Sequence, residues 1–369
     1  MRENWTYKKL GEVCEIKTGK LDANAANENG KYPFFTCSKE PMSINTYAYD
    51  CECVLIAGNG DLNVKYYNGK FNAYQRTYIL SLKKKIDDVT IPYIYEFFLL
   101  YVDELRRKSI GGIIKYIKLG DLVNAKLPIP PLSEQHAIVS ELDKINELIS
   151  LKKAQLSDLD ALAQSIFYDM FGDPIENEKG WEVKKFGEVG EIERGAGISK
   201  KDFVDEGLPC IHYGQLHTIL GPITKKHYTS ISESLLPKFK IAHTGDLIMA
   251  ITSEDVEGSC KSTAWLGDYD IVVGSDAAIL HHNQDGTFLS YYTMTKAFYN
   301  EKAKYAKGFK VTHISTKEIE SIPVYLPPLS LQQEFAKRIE LIEQQKAQIS
   351  STIKDLETLL ASRMQYWFD

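Results

Sequence analysis

One long stretch occurs twice in this chain of 369 residues, and no other feature limits the possible folds so strongly. The first copy begins Pro130-Pro131-Leu132-Ser133, and the second begins Pro327-Pro328-Leu329-Ser330. Behind each start, apolar residues recur in steps of three and four, which is the spacing of one face of an α-helix. Both series share one offset of 197 residues, so the sequence predicts a duplicated amphipathic helix.

Each series forms a heptad seam with few interruptions. The first seam is Ile138, Leu142, Ile145, Ile149, Lys152, Leu156, Leu159, Ala163, Ile166 and Met170. The second is Phe335, Ile339, Ile342, Lys346, Ile349, Ile353, Leu356, Leu360, Arg363 and Trp367. A helix of about 39 residues is roughly 58 Å long, and a narrow apolar seam of that length needs a partner. The pattern therefore predicts that the two helices pack together as an antiparallel intramolecular coiled coil.

Three expectations follow for these helices. Ser133 and Ser330 are predicted as N-caps, with Gln333 completing a capping box in the second copy. Gly172 and Pro174 are predicted to end the first helix. The charged seam residues Lys152, Lys346 and Arg363 are expected to extend their ends into water, and the alternatives are that they fix the helix register or face a partner protein. Asp at Leu156 or Leu356 is expected to disrupt the coiled coil.

The globular parts of the chain are duplicated as well. Residues 5–19 share nine identities with residues 181–195, including Trp5 with Trp181 and Gly11 with Gly187. Buried strands are predicted at 54–57 and 247–250, each followed by a polar turn, at 58–61 and 252–255. Further strands are predicted at 77–82 and 277–281, and amphipathic helices at 92–108 and 288–306.

The fold class predicted from this order is α+β, with two globular mixed α/β domains in tandem and pseudo-two-fold symmetry. The domains are assigned to residues 1–130 and 173–327. Spacer helices are assigned to residues 131–172 and 328–369.

Net charge limits how this chain meets nucleic acid. The formal charge is −6, which argues against binding by bulk electrostatics alone. Residues 1–128 carry 19 Lys and Arg against 15 Asp and Glu, whereas residues 173–328 carry 17 against 22. If the chain binds DNA, we expect another molecule to supply part of the positive surface.

Other classes of protein receive little support. No apolar run approaches membrane-spanning length and no signal peptide is evident, so we expect a soluble, cytoplasmic protein without membrane contact. Six scattered cysteines without a CxxC pair indicate reduced thiols. An adenine methyltransferase would need a glycine-rich cofactor loop and an Asn/Asp-Pro-Pro-Tyr/Phe catalytic segment, and the sequence contains neither. The histidines lack metal-ligand spacing. Asp173 with Glu182 and Lys184 mimics a nuclease motif that is common by chance, so we expect no catalysis and no metal.

Candidate DNA contacts fall into two groups. Basic residues recur around a glycine at the end of a predicted helix in each half: Arg106, Arg107, Lys108 and Lys115 near Gly111, and Lys302, Lys304, Lys307 and Lys310 near Gly308. They suit phosphate contact, although cations at a helix C-terminus also stabilise its dipole. Polar residues on predicted loops suit base edges: Asn59, Gln75, Arg76, Gln215 and Ser253.

The arrangement of globular part, Pro-Pro-Leu-Ser helix, globular part and second such helix resembles the specificity (S) subunit of type I restriction-modification enzymes. The junctions that carry the resemblance are Ile129-Pro130-Pro131-Leu132-Ser133-Glu134-Gln135 and Leu326-Pro327-Pro328-Leu329-Ser330-Leu331-Gln332, where Leu331 departs from the usual Glu. The resemblance implies two target recognition domains that read a bipartite, asymmetric DNA sequence in a system of phage defence. Half-sites on one face of B-DNA lie roughly 34 Å apart per turn, which a rod of roughly 58 Å can span.

The resemblance also implies partners and cofactors. Expected partners are double-stranded DNA, two methyltransferase (M) subunits and, in the nuclease form, restriction (R) subunits. No cofactor is expected on this chain, because S-adenosylmethionine, ATP and Mg²⁺ would be bound by the partner subunits. The alternative is a stand-alone bipartite DNA-binding protein without enzyme partners, which would be expected to carry more positive charge.

Overall fold

The computed structural model describes residues 5–110, 115–198, 200–233, 239–306 and 311–368. The fold is α+β with two long helices, as predicted. Contacts divide the chain into two compact units, one built from Met1–Ala154 with Ser350–Asp369 and the other from Gln155–Ile349. Each unit therefore contains one globular part and one section of each long helix.

A six-stranded sheet forms the centre of the first unit. The strands of this part of the chain are β1 (Thr6–Lys9), β2 (Cys14–Thr18), β3 (Tyr32–Phe35), β4 (Met42–Ile44), β5 (Tyr49–Ala57), β6 (Val64–Ala73), β7 (Thr77–Leu82) and β8 (Lys126–Ile129). Its helices are α1 (Leu10–Val13), α2 (Ile91–Lys108), α3 (Leu119–Val123) and α4 (Leu132–Phe171), with a 3-10 turn at Ala23–Ala25. The sheet order is β2-β7-β5-β6-β3-β4, and only β3 and β6 are parallel.

The larger of two core clusters in this unit joins the sheet to the domain helix and to the long helix. Val54 and Leu80 of the sheet, Phe98 of α2 and Leu142 of α4 are all fully buried in the same cluster. Strands β1 and β8 pair separately, with Thr6 opposite Ile129. The beginning and the end of the globular part therefore lie side by side, directly before the long helix.

The second unit has two five-stranded sheets instead of one larger sheet. Its strands are β9 (Glu182–Lys185), β10 (Gly190–Arg194), β11 (Phe203–Val204), β12 (Leu208–Ile211), β13 (Ile223–Thr224), β14 (Thr229–Ile231), β15 (Lys240–Ala242), β16 (Leu247–Ala250), β17 (Thr252–Ser253), β18 (Ser262–Trp265), β19 (Ile271–Val273), β20 (Ala277–His282), β21 (Thr312–His313) and β22 (Pro323–Leu326). The helices of this part of the chain are α5 (Phe186–Val189), α6 (Tyr213–Thr218), α7 (Gly286–Tyr292), α8 (Lys296–Ala303), α9 (Thr316–Glu320) and α10 (Leu329–Phe368), with a 3-10 turn at Lys200–Asp202. The last section of α10 belongs to the first unit.

The strand orders of these sheets are β10-β20-β16-β18-β13 and β11-β14-β12-β19-β15. Strands β9 and β22 pair with Glu182 opposite Leu326, which repeats the pairing of β1 with β8. The strands predicted at 54–57, 77–82, 247–250 and 277–281 are confirmed as parts of β5, β7, β16 and β20.

Two local predictions in the second unit are wrong. The helix predicted at 288–306 is divided into α7 and α8, because the Thr295 side chain caps a new helix by accepting a hydrogen bond from the Phe298 N–H at 3.3 Å. The polar turn predicted at 252–255 begins with strand β17, in which Thr252 pairs with His313 of β21.

The serine N-caps are also corrected. Helices α4 and α10 begin at Leu132 and Leu329, so Ser133 and Ser330 lie inside the first turn and Gln333 completes no capping box. The carbonyl of Pro131 accepts from the Gln135 N–H at 3.0 Å, and that of Pro328 accepts from the Gln332 N–H at 3.2 Å. The helical hydrogen-bond series therefore starts at the second proline, before the serine is reached.

A fully buried glutamine attaches α4 to the globular part of the first unit. The Gln135 Oε1 atom accepts from the Thr90 N–H at 3.0 Å, and Nε2 donates to the carbonyls of Asp88 at 2.7 Å and Pro130 at 2.9 Å. Thr90 is the N-cap of α2. The amide thus joins the start of the long helix to the start of the domain helix.

Gln332 makes the same connection in the second unit. Its Oε1 atom accepts from the Asp285 N–H at 3.0 Å, and Nε2 donates to the Pro327 carbonyl and to Gln284 Oε1, both at 2.8 Å. Asp285 is the N-cap of α7. Sequence reasoning missed both residues, although they extend each seam by one step of three residues before Ile138 and Phe335.

The long helices run antiparallel where they pack within each unit. In the first unit, Lys153 forms an ion pair with Glu357 at 3.0 Å, and the Glu141 carboxylate accepts from Arg363 Nη2 and Trp367 Nε1, both at 3.0 Å. In the second unit, Phe167 packs against Phe335 with ring centroids 5.6 Å apart. Position along one helix rises as position along the other falls, which is the predicted antiparallel arrangement.

Most seam residues are buried in both helices. The buried ones include Ile138, Leu142, Ile145, Ile149, Leu159 and Ala163 in α4, and Phe335, Ile339, Ile342, Ile349 and Ile353 in α10. Leu156 and Leu356 are only half-buried. Among the described residues, no helix is both long enough and apolar enough to cross a membrane.

Two charged seam residues form ion pairs across the helix interface, so their expected extension into water is wrong. Lys346 lies 2.7 Å from Asp160 of α4 and 2.7 Å from Glu343, and Arg363 is paired with Glu141. Burial lowers the pKa of Lys346, but hydrogen bonds to Asp160 and Glu343 outweigh it, so the pKa lies above its ordinary value. The hydrogen bonds from Arg363 and Trp367 lower the pKa of Glu141.

We predict that Leu142→Asp and Ile339→Asp each lower the free energy of unfolding by about 3 kcal/mol or more, because a carboxylate would be buried without a partner. Urea denaturation of the isolated chain measures this effect. Leu151→Asp and Leu341→Asp are the matched controls, since these leucines are about 60% exposed on the same helices. Equal losses in all four variants would contradict the seam.

We predict that Gln135→Leu and Gln332→Leu each cost about 1–3 kcal/mol, because the N–H of Thr90 or Asp285 loses its acceptor in a buried site. Each substitution is expected to weaken one unit, which amide hydrogen exchange resolves by residue. Gln345→Leu, at an exposed position of α10, serves as the control. Unchanged exchange at the start of α2 in Gln135→Leu would disprove the attachment.

Candidate nucleic-acid interface

Several loops of the first unit meet at Gly58, directly after β5. The Gly58 N–H donates to the Arg76 carbonyl at 2.8 Å, and its own carbonyl accepts from the Ile117 N–H at 3.1 Å. The Gly60 N–H donates to the Lys115 carbonyl at 3.0 Å. These backbone bonds bring three predicted DNA-contacting residues, Asn59, Arg76 and Lys115, into one loop cluster.

Only glycine fits at position 58. A Cβ atom there would lie 2.4 Å from the Arg76 carbonyl oxygen, which is far inside van der Waals contact. The close approach of the two loops therefore depends on the missing side chain.

The side chains of this cluster lie at the surface. Gln75 and Arg76 form an exposed turn between β6 and β7, and Lys115 is exposed as well, whereas Asn59 is half-buried. None of the described residues forms an ion pair with Arg76 or Lys115. Both cations are therefore available to an anion such as a phosphate group.

The basic end of α2 is more strongly engaged. Arg106 donates to the Leu62 carbonyl and to Asp103, both at 2.5 Å, so it holds the turn that follows Gly60. Arg107 and Lys108 both pair with Glu104, at 2.9 and 3.2 Å. The hydrogen bond to Glu104 raises the pKa of Lys108. These contacts agree with stabilisation of the helix C-terminus, and phosphate contact by the three residues stays a prediction.

The two described lysines of the equivalent basic group in the second unit, Lys302 and Lys304, lie in different surroundings. Lys304 is exposed and pairs with Glu301 at 2.7 Å, whereas Lys307, Lys310 and Gly308 lie outside the described residues, as does Gly111 in the first unit. Lys302 is 4% exposed and donates to the carbonyls of Glu257 and Ser259. Burial lowers its pKa. Lys302 is thus a structural residue and does not belong to a phosphate-contacting surface.

Gln215 and Ser253 are placed in the interior, contrary to their prediction as base-reading loop residues. Gln215 is 4% exposed, because its amide accepts from the His212 N–H at 3.1 Å and donates to Thr229 Oγ1 at 3.2 Å. Ser253 is 7% exposed and bonds to Asp255. Both side chains are therefore too deeply buried to reach a base edge.

The second unit repeats the backbone connections of the first around Ile251. The Ile251 N–H donates to the Asp276 carbonyl at 2.9 Å, and its carbonyl accepts from the Ile314 N–H at 3.0 Å. Ile251 therefore takes the place of Gly58, and Asp276 takes that of Arg76. Sequence alignment alone missed this correspondence because the offset differs between the loops.

We call this repeated set of backbone hydrogen bonds the loop frame; it joins Gly58, Arg76 and Ile117 in the first unit, and Ile251, Asp276 and Ile314 in the second. Sequence reasoning also missed two exposed residues beside the loop frame. Tyr116 is 42% exposed and forms an antiparallel β-bridge with Asn59. His313 is also exposed and pairs with Thr252 between strands β21 and β17. The available signal was their common offset of 197 residues combined with different side chains.

Metal and thiol chemistry find no support in the described part of the chain. No cluster of three or more His, Cys, Asp or Glu side chains there is arranged to hold a metal ion. All six cysteines are free. Burial raises the pKa of Cys14 and of Cys260 to about 12, so these two remain thiols.

One buried carboxyl group in α2 stands apart from the ion pairs. Glu96 is 1% exposed, and its Oε2 atom has no hydrogen-bond partner among the described residues. Burial, and to a smaller degree the charge of Asp143, raises its pKa to about 7. Below about pH 7, the folded first unit therefore favours the protonated form of Glu96.

Comparison with known proteins gives one consistent result. The family model for the type I restriction modification DNA specificity domain matches residues 2–161 and 178–358. The chain is 28% identical to the EcoDI type I restriction enzyme specificity subunit of Escherichia coli, with 91% of this chain and 81% of that protein covered. It is 25% identical to the MjaVIII specificity subunit of Methanocaldococcus jannaschii, with coverage of 97% and 92%.

A solved structure shares the fold. The S subunit of a type I restriction-modification system from M. genitalium superimposes with a TM-score of 0.59 at 16% identity, covering 99% of this chain and 96% of that one.

We predict that the stability of the first unit falls as pH rises from about 4.5 to about 7, because unfolding returns Glu96 to its lower ordinary pKa. Glu96→Gln should therefore raise the free energy of unfolding at pH 8 by about 1–3 kcal/mol and leave it nearly unchanged at pH 4. Urea titrations at both pH values test this, with the exposed Glu147→Gln as control. An equal effect of Glu96→Gln at both pH values would contradict the assignment.

Proposed function

Because this chain belongs to the type I restriction-modification DNA specificity family, we propose that it reads a bipartite, asymmetric DNA target, with one half-site bound by each globular part. The observation that carries the proposal is the loop frame that occurs in both units. Its backbone hydrogen bonds are the same around Gly58 and Ile251, whereas the side chains on it differ. Equal frames with unequal side chains suit two readers of unequal sequences.

We further propose that the chain assembles methyltransferase and restriction subunits and has no catalytic activity of its own. Two methyltransferase subunits and, in the nuclease form, restriction subunits would bind S-adenosylmethionine, ATP and Mg²⁺. A chain with a net charge of −6 gains from partners that close around DNA and neutralise its phosphates. The complex would act in the cytoplasm, where bacterial and archaeal DNA lies.

The test is a base-resolution methylation map of a methylation-free host that expresses this chain with the methyltransferase subunit encoded beside it. We expect one asymmetric motif with two defined halves and a fixed gap. Replacing residues 1–128 by the equivalent part of another specificity subunit should change one half only. A folded, co-expressed pair that produces no gapped motif would overturn the proposal.

The stand-alone DNA-binding alternative is separated by salt-dependent binding. We expect specific binding of double-stranded DNA, with a steeper salt dependence, when the methyltransferase is present, because its cations release additional counterions. Full-affinity specific binding by the chain alone, unchanged by the methyltransferase, would favour the alternative.

A further inference from the structure

We infer that His313 and Tyr116 are base-reading residues, one for each half-site, and that His313 accepts a hydrogen bond from the amino group of an adenine or a cytosine. The inference rests on the proposed function and names the side chains that contact the bases. It is carried by the place of both residues on the repeated frame and by the hydrogen bonds that fix the imidazole of His313.

The two residues occupy the same place in their units. Tyr116 lies one residue before Ile117, whose N–H is held by the Gly58 carbonyl, and His313 lies one residue before Ile314, whose N–H is held by the Ile251 carbonyl. Both isoleucines are buried, at 3% and 0% exposure. Because side chains alternate along extended backbone, the residue before each isoleucine points away from the core.

The hydrogen bonds of His313 determine what its ring offers. Its Nδ1 atom lies 3.2 Å from Thr252 Oγ1, which in turn donates its only proton to Asp276 Oδ1 at 3.2 Å. Asp276 is itself paired with Arg194 at 3.5 Å, as expected of an ionised carboxylate that only accepts. With that proton directed to Asp276, the Thr252 oxygen accepts from His313, and this hydrogen-bond pattern assigns the ring proton to Nδ1.

A neutral imidazole with its proton on Nδ1 has a lone pair on Nε2. In the major groove, the groups that donate to such an acceptor are the N6 amino group of adenine and the N4 amino group of cytosine. Guanine presents only acceptors on that edge, and thymine presents an acceptor and a methyl group. The geometry thus points to discrimination between amino-bearing bases and the other two.

The first unit offers different chemistry at the same place. Tyr116 presents a phenolic hydroxyl, which both donates and accepts, and Arg76 replaces Asp276, so the local charge is reversed. The hydrogen bonds from His313 to Thr252 and from Thr252 to Asp276, which leave His313 Nε2 as an acceptor, therefore have no counterpart among the described residues of the first unit. The two half-sites should differ at the position read from this place.

The experiment uses the co-expressed complex and its methylation map. In His313→Ala, we expect one position, normally adenine or cytosine, to become relaxed in the half-site that survives replacement of residues 1–128. Methylation at sites mismatched there should rise about tenfold, the value of one lost base contact. Tyr116→Ala should relax one position of the other half. Val311→Ala, two residues before His313 and at a 54% exposed position, should leave the motif unchanged.

Thr252→Val tests the positioning step. It removes the hydroxyl that orients His313 while keeping the shape of the side chain, so the same position should relax without loss of overall methylation. If wild type yields a gapped motif that His313→Ala or Thr252→Val leaves unaltered in both halves, the inference fails and the proposed function stands. If wild type yields no motif, the proposed function fails and the inference fails with it.

Discussion

Two buried side-chain amide groups attach the long helices of this chain to its globular parts. Gln135 and Gln332 are fully buried in the first turns of the long helices, and each accepts from the backbone N–H of an N-cap residue in its globular part. Burying an amide without hydrogen-bond partners costs free energy. Another direction of the long helix would separate each amide from its partners, so it is disfavoured. The direction of each long helix is thereby set relative to the domain helix that begins beside it.

The helix pair adds a second constraint, which concerns register. An apolar seam alone tolerates sliding by whole heptads, but a charged residue in the seam has to meet its partner. Arg363 reaches the Glu141 carboxylate in the first unit, and Lys346 lies between Asp160 and Glu343 in the second. Sliding would separate these ions within a half-buried interface. The two charged residues of the second seam therefore select one alignment of the helices.

Much of the fold could be predicted because hydrophobic periodicity and duplication can be seen in the sequence without knowledge of tertiary contacts. The seams, the strands β5, β7, β16 and β20, and the fold class all followed from them. The division of one predicted helix at Thr295 did not, since propensity does not distinguish a threonine within a helix from one that caps a new helix. Gln215 was misjudged for a related reason: a polar residue in a loop-like stretch gives no sign that its amide is satisfied internally. The candidate interface was recovered only in part, because backbone contacts between distant loops leave no local pattern.

The loop frame around Gly58 and Ile251 is held by main-chain hydrogen bonds, and this has a consequence for how such a protein changes over generations. Main-chain groups are the same for nearly every amino acid, so substitutions at the neighbouring exposed positions leave the frame intact. Under the proposed function, single replacements at these positions would change the DNA preference at little cost in stability. Because the two frames lie in separate stretches of the chain, the exposed side chains of one frame can change without any change in the other.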